Sequence, residues 1–170
     1  MKNKALYLLF GIISSLIVIS CSEKTKIYNS PDELIADFEP GVEMITVEDL
    51  HTWVDTGMIL LIDVREPGEY KPGFIPGSVN IPRGILEFKI TKDQFWEDQF
   101  LYPPLKEEPI VLICKKGHRS ILAVDAVKKM GFQNVKVLKG GFKKWELTYP
   151  LEQDKIIEEH HDSGGEVGGC

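Results

Sequence analysis

Two short runs constrain the fold of this chain more than any other feature. Residues 58–64 read MILLIDV and residues 110–114 read IVLIC. Neither run alternates apolar with polar residues, and both are rich in branched side chains. A strand with one wet face would alternate with a period of two. A continuous run suits a strand covered on both faces, as in a parallel sheet packed between helices. The flanking segments read as helices. SILAVDAVKKMGF, from Ser120, sets Ile121, Leu122, Val124 and Val127 on one side and places Gly131 as the C-cap. Val47–Asp55 forms a short helix ending at Gly57, and FKKWELTYP a last helix stopping before Pro150. Helical patterns also cover 83–90 and 91–101, the second with Phe95, Trp96, Phe100 and Leu101 as its apolar set. Shorter strands fit Met44–Thr46, VNIP at 79–82 and NVKVL at 134–138, and Trp96 and Trp145 are core candidates. The expected class is α/β, with a mostly parallel central sheet and helices on both faces. In such sheets ligands collect beyond the C-terminal ends of the strands. Asp63 and Cys114 stand at that end of their runs.

The chain opens MKNKALYLLFGIISSLIVISC. Lys2 and Lys4 precede a nearly unbroken apolar run from Ala5 to Ile19, and a small residue and a cysteine close it. That order reads as a secretion signal over 1–20, too short for a comfortable membrane span. VISC resembles the lipobox of bacterial lipoproteins. The resemblance implies that Cys21 becomes the first mature residue and carries lipid, a membrane anchor of more than one acyl chain. Ser22 follows, which in Gram-negative lipoproteins implies an outer-membrane address. Residues 21–42 then read as a polar tether with room for a short helix at Pro31–Phe38. Residues 43–150 read as the folded domain, and the charged, glycine-rich 151–170 as a disordered tail.

The formal charge is −6, and loss of Lys2 and Lys4 takes it to −8. No basic stripe is present to neutralise phosphates, so nucleic acid is not an expected partner. With Cys21 acylated, Cys114 and Cys170 are the remaining thiols, too few for a disulfide scaffold. His160, His161 and Cys170 match no strong metal spacing, and no cofactor is expected. The oligomeric state is left open.

The chemistry concentrates after IVLI, in the loop Cys114-Lys115-Lys116-Gly117-His118-Arg119, with a helix starting near Ser120. A short loop feeding a helix N-terminus turns backbone N–H groups inward and binds anions. The same field favours thiolate, the reactive form of cysteine. Gly117 permits backbone geometry that other residues resist. Arg119 can grip an oxyanion with two parallel hydrogen bonds. A lone cysteine after an apolar strand can equally be a buried filler; the cationic loop argues against that.

CKKGHRS resembles the active-site loop of rhodanese domains: cysteine, four residues, arginine and a small hydroxyl residue, here Ser120. LIDVREPGEY at 61–70 resembles the family's Asp-Val-Arg-x-x-x-Glu-Tyr segment. GFIPGSVNIP at 73–82 and VKVLKGGFKKW at 135–145 are similar to two further family segments, and all four occur in family order. Phe74 stands where the family usually has histidine. The resemblance implies sulfur transfer from thiosulfate or a polysulfide to a thiol or cyanide, through a persulfide on Cys114. Lys115 and Lys116 fit the thiosulfate-type loop, and Arg119 organises it. His118 is expected to face solvent, Asp63 and Arg65 to brace the site, and Glu69 to act as a structural partner. Related phosphatases space cysteine and arginine by five residues rather than four, so a phosphatase or arsenate reductase ranks lower. A non-catalytic or redox-sensing rhodanese module in the cell envelope is the alternative from another class.

Overall fold

A computed structural model of the 170-residue chain describes residues 25–54, 56–57 and 59–157. The signal-peptide and lipidation expectations at 1–20 and Cys21, like His160, His161 and Cys170, lie outside the described residues. Residues 25–30 form part of a separate unit, an irregular stretch in which the Lys26 ammonium lies 5.1 Å from the Tyr28 ring centre. The unit from Pro31 onward holds the domain. No described helix is long and apolar enough to cross a membrane.

Five strands form one sheet: β1 (Glu43–Ile45), β2 (Leu60–Asp63), β3 (Ser78–Asn80), β4 (Ile110–Ile113) and β5 (Val135–Leu138). Their spatial order is β1-β5-β4-β2-β3, and every pairing is parallel. The central strand β4 is buried at all four residues, as its unbroken apolar run requires. Ile110 and Leu112 join one core cluster, and Val111 and Ile113 the other. Alternate side chains therefore enter two separate cores, one on each face.

Helices α1 (Pro31–Phe38), α4 (Leu86–Lys89), α5 (Asp93–Glu97) and α6 (His118–Lys129) contribute to the first core through Ile35, Leu86, Trp96, Ile121, Val124 and Val127. Helices α2 (Val47–Val54) and α7 (Gly141–Thr148) contribute Val47, Leu50, Phe142 and Trp145 to the second. One further turn of helix, α3 (Pro67–Tyr70), follows β2.

Several sequence expectations need correction. Residues 31–42 are part of the fold, because Ile35 is buried and α1 packs on α6. The second helical pattern shortens to Asp93–Glu97. Trp96 is buried, while Phe100 turns outward at 96 % exposure with a positive φ of 57°. The chain reverses there instead of continuing the helix. Residues 151–157 pack on the domain: Asp154 and Phe74 exchange two backbone hydrogen bonds at 2.9 Å, and Ile156 N–H donates to the Lys71 carbonyl. Pairing against an exposed turn supplies the order that composition did not suggest. Phe74, in the position of the family's histidine, also stacks on Tyr70 with ring centres 4.2 Å apart.

Candidate active site

Cys114 follows the last residue of β4, at the C-terminal edge of the sheet, and is 1 % exposed. The backbone then turns sharply. Gly117 takes a φ of 101°, which an L side chain strongly resists, and caps α6. The helix begins at His118, two residues earlier than expected, because Gly117 lets the chain enter the helix directly. The thiol loop is thus Cys114 to Gly117, and His118 and Arg119 belong to the first helical turn. Gly117 N–H donates to Cys114 Sγ at 3.1 Å. A filler cysteine would be enclosed by apolar atoms alone; this one accepts a backbone hydrogen bond from the turn that follows it.

The loop is braced from behind by α7. Phe142 N–H donates to the Cys114 carbonyl at 2.8 Å and Lys143 N–H to the Lys115 carbonyl at 3.0 Å. That close approach explains Gly141. A Cβ there would overlap the Cys114 carbonyl oxygen and lie 2.8 Å from the Lys115 carbon and the Lys116 nitrogen.

Arg119, in the first turn of α6, is held by a carboxylate from the turn after β2. Its guanidinium donates to both carboxylate oxygens of Glu69, at 2.6 and 2.9 Å. The end-on fork is spent on Glu69, leaving the remaining N–H groups for the sulfur side. Arg119 raises the carboxylate's preference for charge and holds Glu69 at a pKa of about 2; burial opposes that shift. Glu69 in turn raises the Arg119 pKa, with smaller contributions from Cys114.

Asp63 and Arg65 form a buried ion pair, with Arg65 Nε donating to Asp63 Oδ1 at 3.0 Å and to Oδ2 at 2.8 Å. The rest of the Arg65 guanidinium donates to the carbonyls of Glu69 and Gly73, and its plane covers the Phe142 ring at 4.1 Å. Arg65 therefore fixes the turn that carries Glu69, and Glu69 fixes Arg119. Burial raises the Asp63 pKa and Arg65 opposes the shift. Removing one partner of such a pair strands a buried charge, at a cost of about 3–5 kcal/mol.

Lys115, Lys116 and His118 are exposed, and Gly117 is buried. Ser120 is fully buried, and its hydroxyl has no hydrogen-bond partner among the described residues. The Glu69–Arg119 fork was missed in the sequence because its partners lie fifty residues apart. The brace behind Gly141 was also missed; its only signal was the Gly140-Gly141 doublet.

A parallel α/β sheet with a cysteine-led loop at its C-terminal edge, entering a helix through a left-handed glycine, defines a class of small domains. Within that class, the rhodanese-like domain profile matches residues 46–148. The chain belongs to the rhodanese-like family. A Schizosaccharomyces pombe protein, provisionally described as a mitochondrial thiosulfate sulfurtransferase, is 36 % identical over 88 residues. That alignment spans 51 % of this chain and 62 % of the relative, so just under two thirds of the relative's length is covered. The Mus musculus thiosulfate sulfurtransferase/rhodanese-like domain-containing protein 3 is 32 % identical over 114 residues, covering 65 % of this chain and 72 % of its own. Among solved structures, a Rhodopseudomonas palustris protein of unknown function, described as a possible tyrosine phosphatase, superposes with a TM-score of 0.59. It is 28 % identical, over 74 % of this chain and 95 % of its own.

Proposed function

We propose that the domain is a sulfurtransferase that carries sulfane sulfur on Cys114. The observation that carries this function is the Cys114 sulfur held at 3.1 Å from the Gly117 N–H, in a loop that also presents Lys115 and Lys116. Family membership and the sulfurtransferase descriptions of the yeast and mouse relatives support it. The Cys114 thiolate attacks the outer sulfur of thiosulfate or a polysulfide. With thiosulfate, the S–S bond breaks, its electron pair leaves with sulfite, and Cys114 keeps the outer sulfur as a persulfide. Loop N–H groups and Arg119 stabilise the anionic sulfur and the leaving oxyanion. A thiol or cyanide then takes the sulfur and returns the thiolate. The four-residue interval between Cys114 and Arg119 makes a smaller cradle than a phosphatase needs.

The test is intact-mass analysis after separate exposure of the reduced protein to thiosulfate, polysulfide and mercaptopyruvate. One added sulfur is expected with thiosulfate or polysulfide, and none in Cys114→Ser. A protein that gains no sulfur from any donor would instead be a binding or redox-sensing module. Hydrolysis of an aryl phosphate that depends on Cys114 would favour the phosphatase class.

The lipobox-like VISC supports a second element of the proposal, a lipid tether at Cys21 that holds the domain in the cell envelope, at the outer membrane in a Gram-negative cell. Metabolic labelling with radioactive palmitate in a bacterial host is expected to mark the wild type and to spare Cys21→Ala. Equal labelling of the two would remove the tether.

A further inference from the structure

Helix α5 closes on a strained residue that the fold itself does not use. Phe100 N–H donates to the Glu97 carbonyl and Leu101 N–H to the Trp96 carbonyl, both at 2.9 Å. That bonding pattern ends a helix through one left-handed residue, a position that glycine or asparagine normally fills. Here Phe100 fills it, with a φ of 57°. A bulky side chain in that conformation is strained, and it persists where something other than local geometry requires it. Packing among the described residues does not require it, since Phe100 is 96 % exposed. Tyr102 is 93 % exposed and Leu105 65 %. Residues 100–105 read FLYPPL, a run without a charge, and Pro103 and Pro104 stiffen it.

The place of this loop in the fold narrows what can meet it. Residues 98–109 lead into β4 at Ile110, while Cys114 follows the other end of the same strand. Gln133 N–H donates to the Lys106 carbonyl, which ties the loop to the segment before β5. The loop therefore lies at the N-terminal edge of the sheet, opposite the thiol loop. A lipid on Cys21 would keep the domain beside a bilayer, because the ten residues from Cys21 to Pro31 span at most about 35 Å. A bilayer interface takes up aromatic and aliphatic tips and leaves a tyrosine hydroxyl among the headgroups. Glu97, Asp98, Glu107 and Glu108 flank the run and are exposed, so a zwitterionic surface suits it and an anionic one repels it. We infer that the 100–105 loop is a bilayer contact, which dips Phe100 and Tyr102 into a zwitterionic lipid surface and turns the thiol loop toward the water. This inference rests on the lipid tether proposed above, which by itself would hold the domain near the membrane without orienting it.

The experiment uses the full chain, purified from a bacterial host, in phosphatidylcholine vesicles whose acyl chains carry bromine, a quencher of nearby tryptophan. Wild type supplies the baseline of the native tryptophans. Phe100→Trp reports the loop, and Lys116→Trp reports the opposite edge of the sheet. The quenched fraction is expected to rise above baseline in Phe100→Trp, to stay at baseline in Lys116→Trp, and to fall when anionic phosphatidylglycerol is mixed in. Separately, Phe100→Gly, which suits the left-handed position, is expected to raise the urea midpoint. A lower midpoint would show that the fold needs Phe100 and would overturn the functional reading of its strain. Baseline quenching in Phe100→Trp that co-sediments with the vesicles would overturn the loop contact and leave the tether in place. Quenching in Phe100→Trp without palmitate labelling of the wild type would sustain the loop contact and remove the tether. Protein that stays in the supernatant would overturn both. If Phe100→Gly turns a dimer into a monomer in detergent while Phe100→Trp stays at baseline, the loop joins two copies of the chain and the lipid contact is overturned.

Discussion

Glu69 engages Arg119 through both carboxylate oxygens, and that fork limits what Arg119 can offer a substrate. Glu69→Gln keeps the shape but removes one acceptor oxygen and the charge. Arg119 then loses its fixed direction beside Cys114. Persulfide formation from thiosulfate is expected to slow about tenfold to a hundredfold, the usual cost of a misplaced reacting group. Stopped-flow loading rates check this, and an unchanged rate would leave Glu69 with no positioning role. The pair also carries a pH signature. The folded-state pKa of Glu69 is depressed from 4.5 to about 2. Its contribution to stability is therefore complete above about pH 4.5 and is lost as pH falls toward 2. Both side chains are about one-third exposed, so solvent and salt screen the contribution and keep it modest. In denaturant titrations, the stability gap between wild type and Glu69→Gln is expected to be constant near neutrality and to close between pH 4.5 and 2. A gap that is flat across this range would show that the fork adds nothing to stability.

The elements were legible to different degrees, for physical reasons. Strands β2 and β4 could be read from their apolar runs because burial on both faces leaves no polar alternation to confuse with a helix. The thiol loop was legible because its chemistry is local: cysteine, glycine and arginine lie within six residues. The Asp63–Arg65 pair is nearly as local, two residues apart. Contacts made by topology were not legible. Nothing near Gly141 announces that Cys114 and Lys115 will lie against it. Helix α1 is a similar case. Its composition is that of a linker, yet Ile35 enters the first core beside α6. Ile35→Ala is expected to destabilise the protein by about 2–3 kcal/mol, at the lower end of large-to-small core changes because the helix sits at the margin of the core. Urea denaturation checks this, and a loss below about 0.5 kcal/mol would return α1 to the status of a tether.

In the domain as a whole, the segment after α7 links that helix to the 71–74 turn. Trp145 Nε1 donates to the Glu152 carbonyl at 2.7 Å, and Glu152 also meets His51 Nε2 at 2.7 Å. Asp154 then pairs with Phe74, and Ile156 with Lys71, along that turn. Gly73 lies so close to this segment that a Cβ there would come within 2.7 Å of Gln153 Oε1. A chain ending at Pro150 loses all of these contacts, and a chain ending at Ile157 keeps them. The lost hydrogen bonds contribute about 1 kcal/mol each, and much of that is offset by the entropy of ordering the segment. The expected net loss for the shorter chain is about 1–2 kcal/mol. Its local signature is more specific than its stability. The thiol loop is braced by α7 and by Glu69, neither of which the deletion removes, while the 71–74 turn loses its backing. Amide hydrogen exchange at residues 71–74 is therefore expected to speed up in the chain ending at Pro150, with exchange at the thiol loop changed far less. Equal changes at the turn and the thiol loop would mean that the segment supports the domain in general and does not back the turn.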